Sequence, residues 1–216
     1  KEKYNLHTSD KEFGSFVIDI AGNDGALLSQ FTKAIPGLKH LNIDPASNLA
    51  SVNEAAGIRQ YCKFWNMETA ESLQGLGWPK ADLIAATNVF AHVDDCKGFL
   101  KACVYALKDT GVLVLEFPYI ADFINNNEFD TVYHEHLSYM SVKPVERMLN
   151  DAGLFIHNIS KFEIHGGTIR IEAGKQRSAI GDRIAHGYIE AEEVIDYTRF
   201  AKYVNQTILE FEYGLD

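Results

Sequence analysis

The chain has 216 residues, 46% of them hydrophobic and 12% aromatic, which is enough for one well-buried core without requiring two. Its 20 Lys and Arg stand against 30 Asp and Glu, and the formal charge of -10 argues against the broad phosphate-binding surface that nucleic acid needs. Cys62, Cys96 and Cys103 are odd in number and form no C-x-x-C pair, so neither a disulfide framework nor a cysteine zinc site is indicated, and a reducing, cytoplasmic compartment fits. No apolar run approaches the length of about 18 residues that marks a membrane span, and the N-terminus, Lys1-Glu2-Lys3-Tyr4, is charged rather than signal-like.

In chain order, residues 16–21 predict a strand and residues 26–34, with Leu27, Leu28 and Phe31 at helical spacing, a helix. Residues 38–43 predict a strand, 47–56 a helix, 57–62 and 82–87 strands, 95–107 a helix and 111–117 a strand. Strands alternating with helices imply βαβ units, hence a doubly wound α/β sheet covered on both faces. Residues 142–152 predict a helix, with Pro144 in its first turn and Gly153 past its end. Residues 154–162 and 168–173 predict two strands joined through His165-Gly166-Gly167, an antiparallel hairpin at the sheet edge. In the last helix Val194, Tyr197, Ala201, Val204, Ile208 and Phe211 recur at three- and four-residue steps. That apolar stripe needs a partner surface: the core, another subunit, or a flanking domain.

Two segments carry chemistry. Asp19-Ile20-Ala21-Gly22-Asn23-Asp24-Gly25 lies where a strand turns into a helix, where glycine lets backbone approach a ligand and the N–H groups of the helix start favour an anionic group. The turn lacks the full G-x-G-x-x-G of dinucleotide binders, which argues against a nicotinamide enzyme. Asp44, at the end of the second strand and about 20 residues on, would accept hydrogen bonds from ribose hydroxyls. An ordinary tight turn and a solvated aspartate are the bland alternative. The second segment, Tyr133-His134-Glu135-His136-Leu137-Ser138-Tyr139, sets proton-moving side chains in a row after the strand-like run 112–118, which points to an enzyme. His134 and His136 also form an H-x-H pair that a metal could use, with Glu135 or His165 as a third ligand.

An acidic residue, a glycine-bearing turn and a ribose-binding acid in this order resemble the class I S-adenosylmethionine-dependent methyltransferases. More narrowly, Gly22-Asn23-Asp24-Gly25-Ala26-Leu27-Leu28, Ile43-Asp44-Pro45-Ala46, Asn88-Val89-Phe90-Ala91-His92-Val93, Glu116-Phe117-Pro118, the run from Phe129 to Tyr139 and His165-Gly166-Gly167-Thr168-Ile169-Arg170 resemble the deoxysugar C-methyltransferases. The resemblance implies a Rossmann-like, seven-stranded, mostly parallel sheet over residues 1–175, with the antiparallel edge hairpin and a C-terminal helical extension, 176–216. It implies S-adenosyl-L-methionine as cofactor and no metal.

By the same resemblance, Asp19 supports the cradle and the cofactor's amino end, Gly22 and Asn23 supply backbone contact, and Asp44 binds the ribose diol with Asn48 nearby. Phe64 and Trp65 fall around the adenine, although both suit a core as well, and Asn88 lines the methionine side. The implied reaction is methyl transfer to carbon next to a ketone of a nucleotide-linked 4-keto-6-deoxysugar. His136 matches the general base, Tyr133 and Glu135 the groups that accompany it, and His92 a further active-site histidine. A neutral imidazole is available at physiological pH without extreme tuning. His165 and Arg170 are the expected substrate contacts, Arg170 or Lys143 having to offset the acidic charge beside an anionic nucleotide-sugar. Relatives of this kind begin with a cysteine-rich zinc module and continue into a further domain. Neither is present here, so the expectation is either a piece of a longer polypeptide or a stripped-down relative with another substrate. An O- or N-methyltransferase and a non-catalytic cofactor-binding subunit are the alternatives.

Overall fold

The computed structural model describes residues 2–4, 6–7, 14–164 and 166–214. β1 (Phe16–Ile20) is buried at all five positions, as an apolar run without alternation requires of a strand covered on both faces. It is followed by α1 (Ala26–Ala34), β2 (Lys39–Ile43), a 3-10 turn (Ser47–Leu49) leading into α2 (Ala50–Ala55), β3 (Gln60–Tyr61), α3 (Met67–Gly75) and β4 (Ala81–Thr87). A second 3-10 turn (Phe90–His92), α4 (Cys96–Ala106), β5 (Leu107–Pro118), α5 (Ile120–Asn125) and a third 3-10 turn (Phe129–Thr131) come next. The described chain closes with α6 (Val142–Ala152), β6 (Phe155–Phe162), β7 (Thr168–Gly174), α7 (Ala179–Glu192) and α8 (Tyr197–Tyr213).

The seven strands form one sheet in the order β3-β2-β1-β4-β5-β7-β6. β1 to β5 run parallel, while β7 is antiparallel to both β5 and β6, so the mostly parallel sheet with an antiparallel edge pair is the one expected. Strand order reverses between β1 and β4, and in such sheets ligands bind outside the carboxyl ends at that switch point. One face packs Phe16, Ile18, Ile20, Leu113, Leu115 and Phe117 against α3, α4, α6 and α7, and the other packs Val17, Leu83 and Val114 against Leu28 of α1.

Three helices carry no clear signal in the sequence. α3 is started by Asn66, whose side chain accepts from Thr69 N–H, and buries only Thr69, Ala70 and Leu73. α5 is six residues long. α7 runs unbroken through Gly181 and Gly187, which weaken its helical pattern in the sequence, and Gly181 is needed because a Cβ there would lie 1.7 Å from the Ile156 carbonyl oxygen. α7 buries Ala185 in the sheet domain's core. β3 is shorter than the expected 57–62, and β5 starts at Leu107, directly from α4, rather than at 111.

α8 has no buried residue. Its first turn is set by Asp196, whose carboxylate accepts from Arg199 N–H, and Phe200 and Tyr203 turn towards the body. The expected stripe is therefore rotated off the contact: Tyr197, Ile208 and Phe211 stay exposed, and Val194 precedes the helix. Among the described residues no helix is long and apolar enough to cross a membrane, and the three cysteines are unpaired.

Candidate active site

The turn after β1 is built from left-handed backbone, with φ of 54° at Ala21, 51° at Asn23 and 76° at Gly25. Such conformations cost free energy outside glycine and persist where surrounding structure holds them. Here a lattice of side-chain amides does so. Asn42 of β2 accepts from Gly22 N–H at 3.1 Å and donates to Asn23 O at 3.0 Å and to Asn53 Oδ1 at 3.1 Å. Asn53, fully buried, donates to Asn23 O and Leu49 O and to Gln60 Oε1, and Gln60 donates to the carbonyls of Asp44 and Ala46. A Cβ at Gly22 would lie 2.5 Å from Asp19 Oδ2 and 2.7 Å from Asn42 Oδ1.

Several N–H groups of the turn are already engaged within the protein. Gly22 N–H is taken by Asn42, Asn23 N–H by Asp44 Oδ2 and Ala26 N–H by Asp24 Oδ1. The local field is acidic. Asp19 is buried, its Oδ1 has no hydrogen-bond partner among the described residues, and burial together with the Asp44 carboxylate pushes its pKa up to about 7. An unpaired buried carboxylate suits a ligand that brings a cation.

Two cavities open at the switch point. The first, about 890 Å³, is lined by Ile20, Ala21, Ile43 and Pro45 on one side and by Phe64, Trp65 and Met67 on the other. The second, about 540 Å³, is lined among others by Asn88, Tyr119, Glu128, Thr131, Tyr133 and His136, with Gly166 and Gly167 at its edge. His92 lines both.

Phe90, wholly buried against Phe99 and Phe117, anchors the turn that carries His92. His92 Nδ1 lies 2.7 Å from Glu135 O, and Ser138 N–H donates to Ala91 O, so the segments 88–93 and 133–139 are stitched together. The His92 and His136 ring centroids are 4.9 Å apart. His136 Nδ1 lies 3.0 Å from Thr131 O, and His136 Nε2 lies 2.8 Å from the Tyr133 hydroxyl. Because a carbonyl oxygen only accepts, Nδ1 carries the proton in both rings, and in the neutral form both Nε2 atoms are acceptors. The Tyr133 hydroxyl donates to Nε2 of His136, whereas Nε2 of His92 has no hydrogen-bond partner among the described residues.

The expected residues thus fall into groups. Asp19, Gly22, Asn23 and Asp44 converge on the cradle, Phe64 and Trp65 wall the first cavity, and Asn88, His92, Tyr133 and His136 share the second. Asn88, in left-handed backbone with φ 55°, faces the second cavity rather than the first. Glu135 contributes its carbonyl, to His92, while its side chain is exposed. Asn48 lies exposed on the turn after β2, outside both linings. Arg170 is held by Glu116, at 2.7 Å through Nε and 2.6 Å through its terminal nitrogen, stacks on Phe162, and lines neither cavity. His165 lies outside the described residues. Among the described residues no three His, Cys, Asp or Glu side chains group as a metal site. The sequence reading missed Asn42, Asn53 and Gln60, for which an amide inside the apolar strand β2 was the available signal. It also missed Glu128 and the Thr131 carbonyl.

A family profile described as a methyltransferase domain matches residues 7–158. The chain belongs to the methyltransferase-domain family. It is 31% identical over 163 residues to the C-methyltransferase NovU of Streptomyces niveus, covering 74% of this chain and 37% of that protein. Among solved structures it resembles the mitomycin 7-O-methyltransferase MmcR (TM-score 0.58, 19% identity, 75% of this chain and 49% of that one). It also resembles the O-methyltransferase NcsB1 from neocarzinostatin biosynthesis, solved with S-adenosylmethionine and 2-hydroxy-5-methyl naphthoic acid (TM-score 0.54, 18% identity, 74% and 48%). The chain spans between about a third and a half of the length of these proteins. This is an S-adenosylmethionine-dependent methyltransferase domain, and S-adenosylmethionine is its cofactor. The residues present fit it: the unpaired Asp19 oxygen suits the amino group, and each Asp44 oxygen accepts a single backbone N–H, leaving lone pairs for a ribose diol. Phe64 and Trp65 would offer an apolar wall to adenine in the first cavity.

Proposed function

We propose that this domain methylates carbon next to the ketone of a nucleotide-linked 4-keto-6-deoxysugar or a similar small carbonyl compound. The observation that carries the proposal is the pair His92 and His136, each with Nδ1–H on a carbonyl and Nε2 as acceptor, in a cavity that meets the cofactor cavity at His92. The NovU likeness supports transfer to carbon. The bound cofactor supplies a methyl group on a sulfonium sulfur. The protein's part is then to remove a carbon-bound proton and to hold the charge that develops on the ketone oxygen. Tyr133, half-exposed, donates to His136 Nε2 in the free site. Moving that hydroxyl onto the ketone oxygen gives the developing enolate a donor and frees Nε2 to take the proton. No Lys or Arg is among the described residues lining this cavity, so it suits the sugar ring, with the nucleotide phosphates outside. The unpaired cysteines support a reducing, cytoplasmic setting.

The test is methyl transfer to such a keto-sugar by His136→Ala. Activity should fall by about 100-fold or more while S-adenosylhomocysteine binding stays intact, and full activity with intact binding overturns His136 as base. A second reading assigns the base to His92, whose Nε2 is unengaged and borders both cavities. His92→Ala would then carry the larger loss.

A further inference from the structure

Through Arg199, Phe200 and Tyr203, α8 contacts the back of the second cavity. Arg199 donates to the carbonyls of Ile124, at 2.7 Å, and Asn125, at 3.3 Å, at the end of α5, where Ile124 O also accepts from Asn127 N–H, and at 3.1 Å to Asn127 Oδ1. Phe200 packs on Phe123, a cavity-lining residue, with ring centroids 5.1 Å apart, and Phe123 packs on Tyr139 at 5.2 Å. Tyr139 in turn meets the His136 ring edge-on at 6.1 Å, and its hydroxyl lies 3.5 Å from Thr131 O. Tyr203 packs on Phe129, the first residue of the turn that Thr131 ends. Two routes therefore run from α8 to one atom, the Thr131 carbonyl oxygen that accepts from His136 Nδ1.

We propose that α8 positions His136 for proton transfer: through Arg199, Phe200 and Tyr203 it fixes the Phe129–Thr131 turn, and the Thr131 carbonyl then dictates the Nδ1–H tautomer that leaves Nε2 as acceptor in the cavity. A solvated imidazole favours the other tautomer, with the proton on Nε2 and no lone pair there to receive one. The tautomer is selected by the hydrogen bond made at the opposite nitrogen. α8 holds no group that touches the cavity itself, so its contribution is to geometry and protonation site. The assignment rests on the proposed function only for the use to which His136 is put.

Long-range 1H–15N spectra report the tautomer of His136 without any substrate. The neutral wild-type ring should show the Nδ1–H pattern, and Arg199→Ala with Phe200→Ala should convert it largely to Nε2–H. Affinity for S-adenosylhomocysteine should stay within about twofold, since the first cavity is untouched. Methyl transfer to a nucleotide-linked 4-keto-6-deoxysugar should lose about 10- to 100-fold in kcat with cofactor KM unchanged, and Arg199→Lys, which keeps the charge and a donor, should restore part of it. Retention of the Nδ1–H pattern in the double variant, or an Nε2–H pattern already in the wild type, overturns the proposal. The expected tautomers in a wild-type protein that methylates no keto-sugar support the positioning role and remove the proposed function instead.

Discussion

Replacing Asp19 by asparagine removes a carboxyl that the fold keeps protonated far above its ordinary range. Burial, reinforced by the Asp44 carboxylate, raises its pKa from 3.8 to about 7. Between those values the folded state holds a proton that the unfolded chain has already released. Its destabilising effect is therefore absent below pH 3.8, grows as the pH rises, and levels off above about 7. A shift of this size corresponds to about 4 kcal/mol at the plateau, of which about 2 to 3 kcal/mol develops between pH 5 and pH 8. Urea unfolding of the ligand-free protein at the two pH values measures it. Asp19→Asn should gain about 2 to 3 kcal/mol on the wild type in going from pH 5 to pH 8. The same variant should bind S-adenosylhomocysteine about 10- to 100-fold more weakly at pH 8, where the wild type offers an ionised partner to the ligand's ammonium group. Unfolding free energies whose difference is the same at pH 5 and pH 8 would refute the argument.

Gly22→Ala places a Cβ within 2.7 Å of both Asp19 and Asn42, so calorimetry should find cofactor-analogue binding weakened by an order of magnitude or more, at a stability cost of about 1 to 3 kcal/mol. Asn53→Ala leaves Asn23 O, Leu49 O and Gln60 Oε1 short of a donor, and urea unfolding should show a loss of about 2 to 3 kcal/mol with cofactor binding weakened as well. Tyr133→Phe removes the hydroxyl on His136 Nε2 while keeping the ring. Steady-state kinetics should show kcat reduced by about 10- to 100-fold with cofactor KM unchanged.

The sheet was legible because its strands are buried on both faces and read as apolar runs, and because alternating helices leave few topologies open. The cradle was legible too, since left-handed backbone and close approach demand glycine at Gly22 and Gly25, and since Asp44 falls at a strand's carboxyl end. What the sequence hid depends on long-range register or on backbone atoms. Arg170 reads as a free cation until β7 pairs with β5 and sets it beside Glu116, 54 positions away. Glu135 reads as a carboxylate that orients an imidazole, whereas the group that does so is a main-chain carbonyl, which carries no side-chain signature. The same holds for Thr131. α7 fell inside the expected helical extension but its bounds were hidden, because Gly181 and Gly187 weaken the helical pattern; close packing on β6 requires glycine at Gly181 alone of the two.

A 13C-labelled methyl group can be followed from S-adenosylmethionine into the product of a nucleotide-linked 4-keto-6-deoxysugar. Transfer to carbon gives a methyl carbon bonded to a ring carbon beside the ketone, formed by the wild type and lost in His136→Ala. A methoxy or N-methyl product, or no transfer by a protein that binds the cofactor, would contradict transfer to carbon.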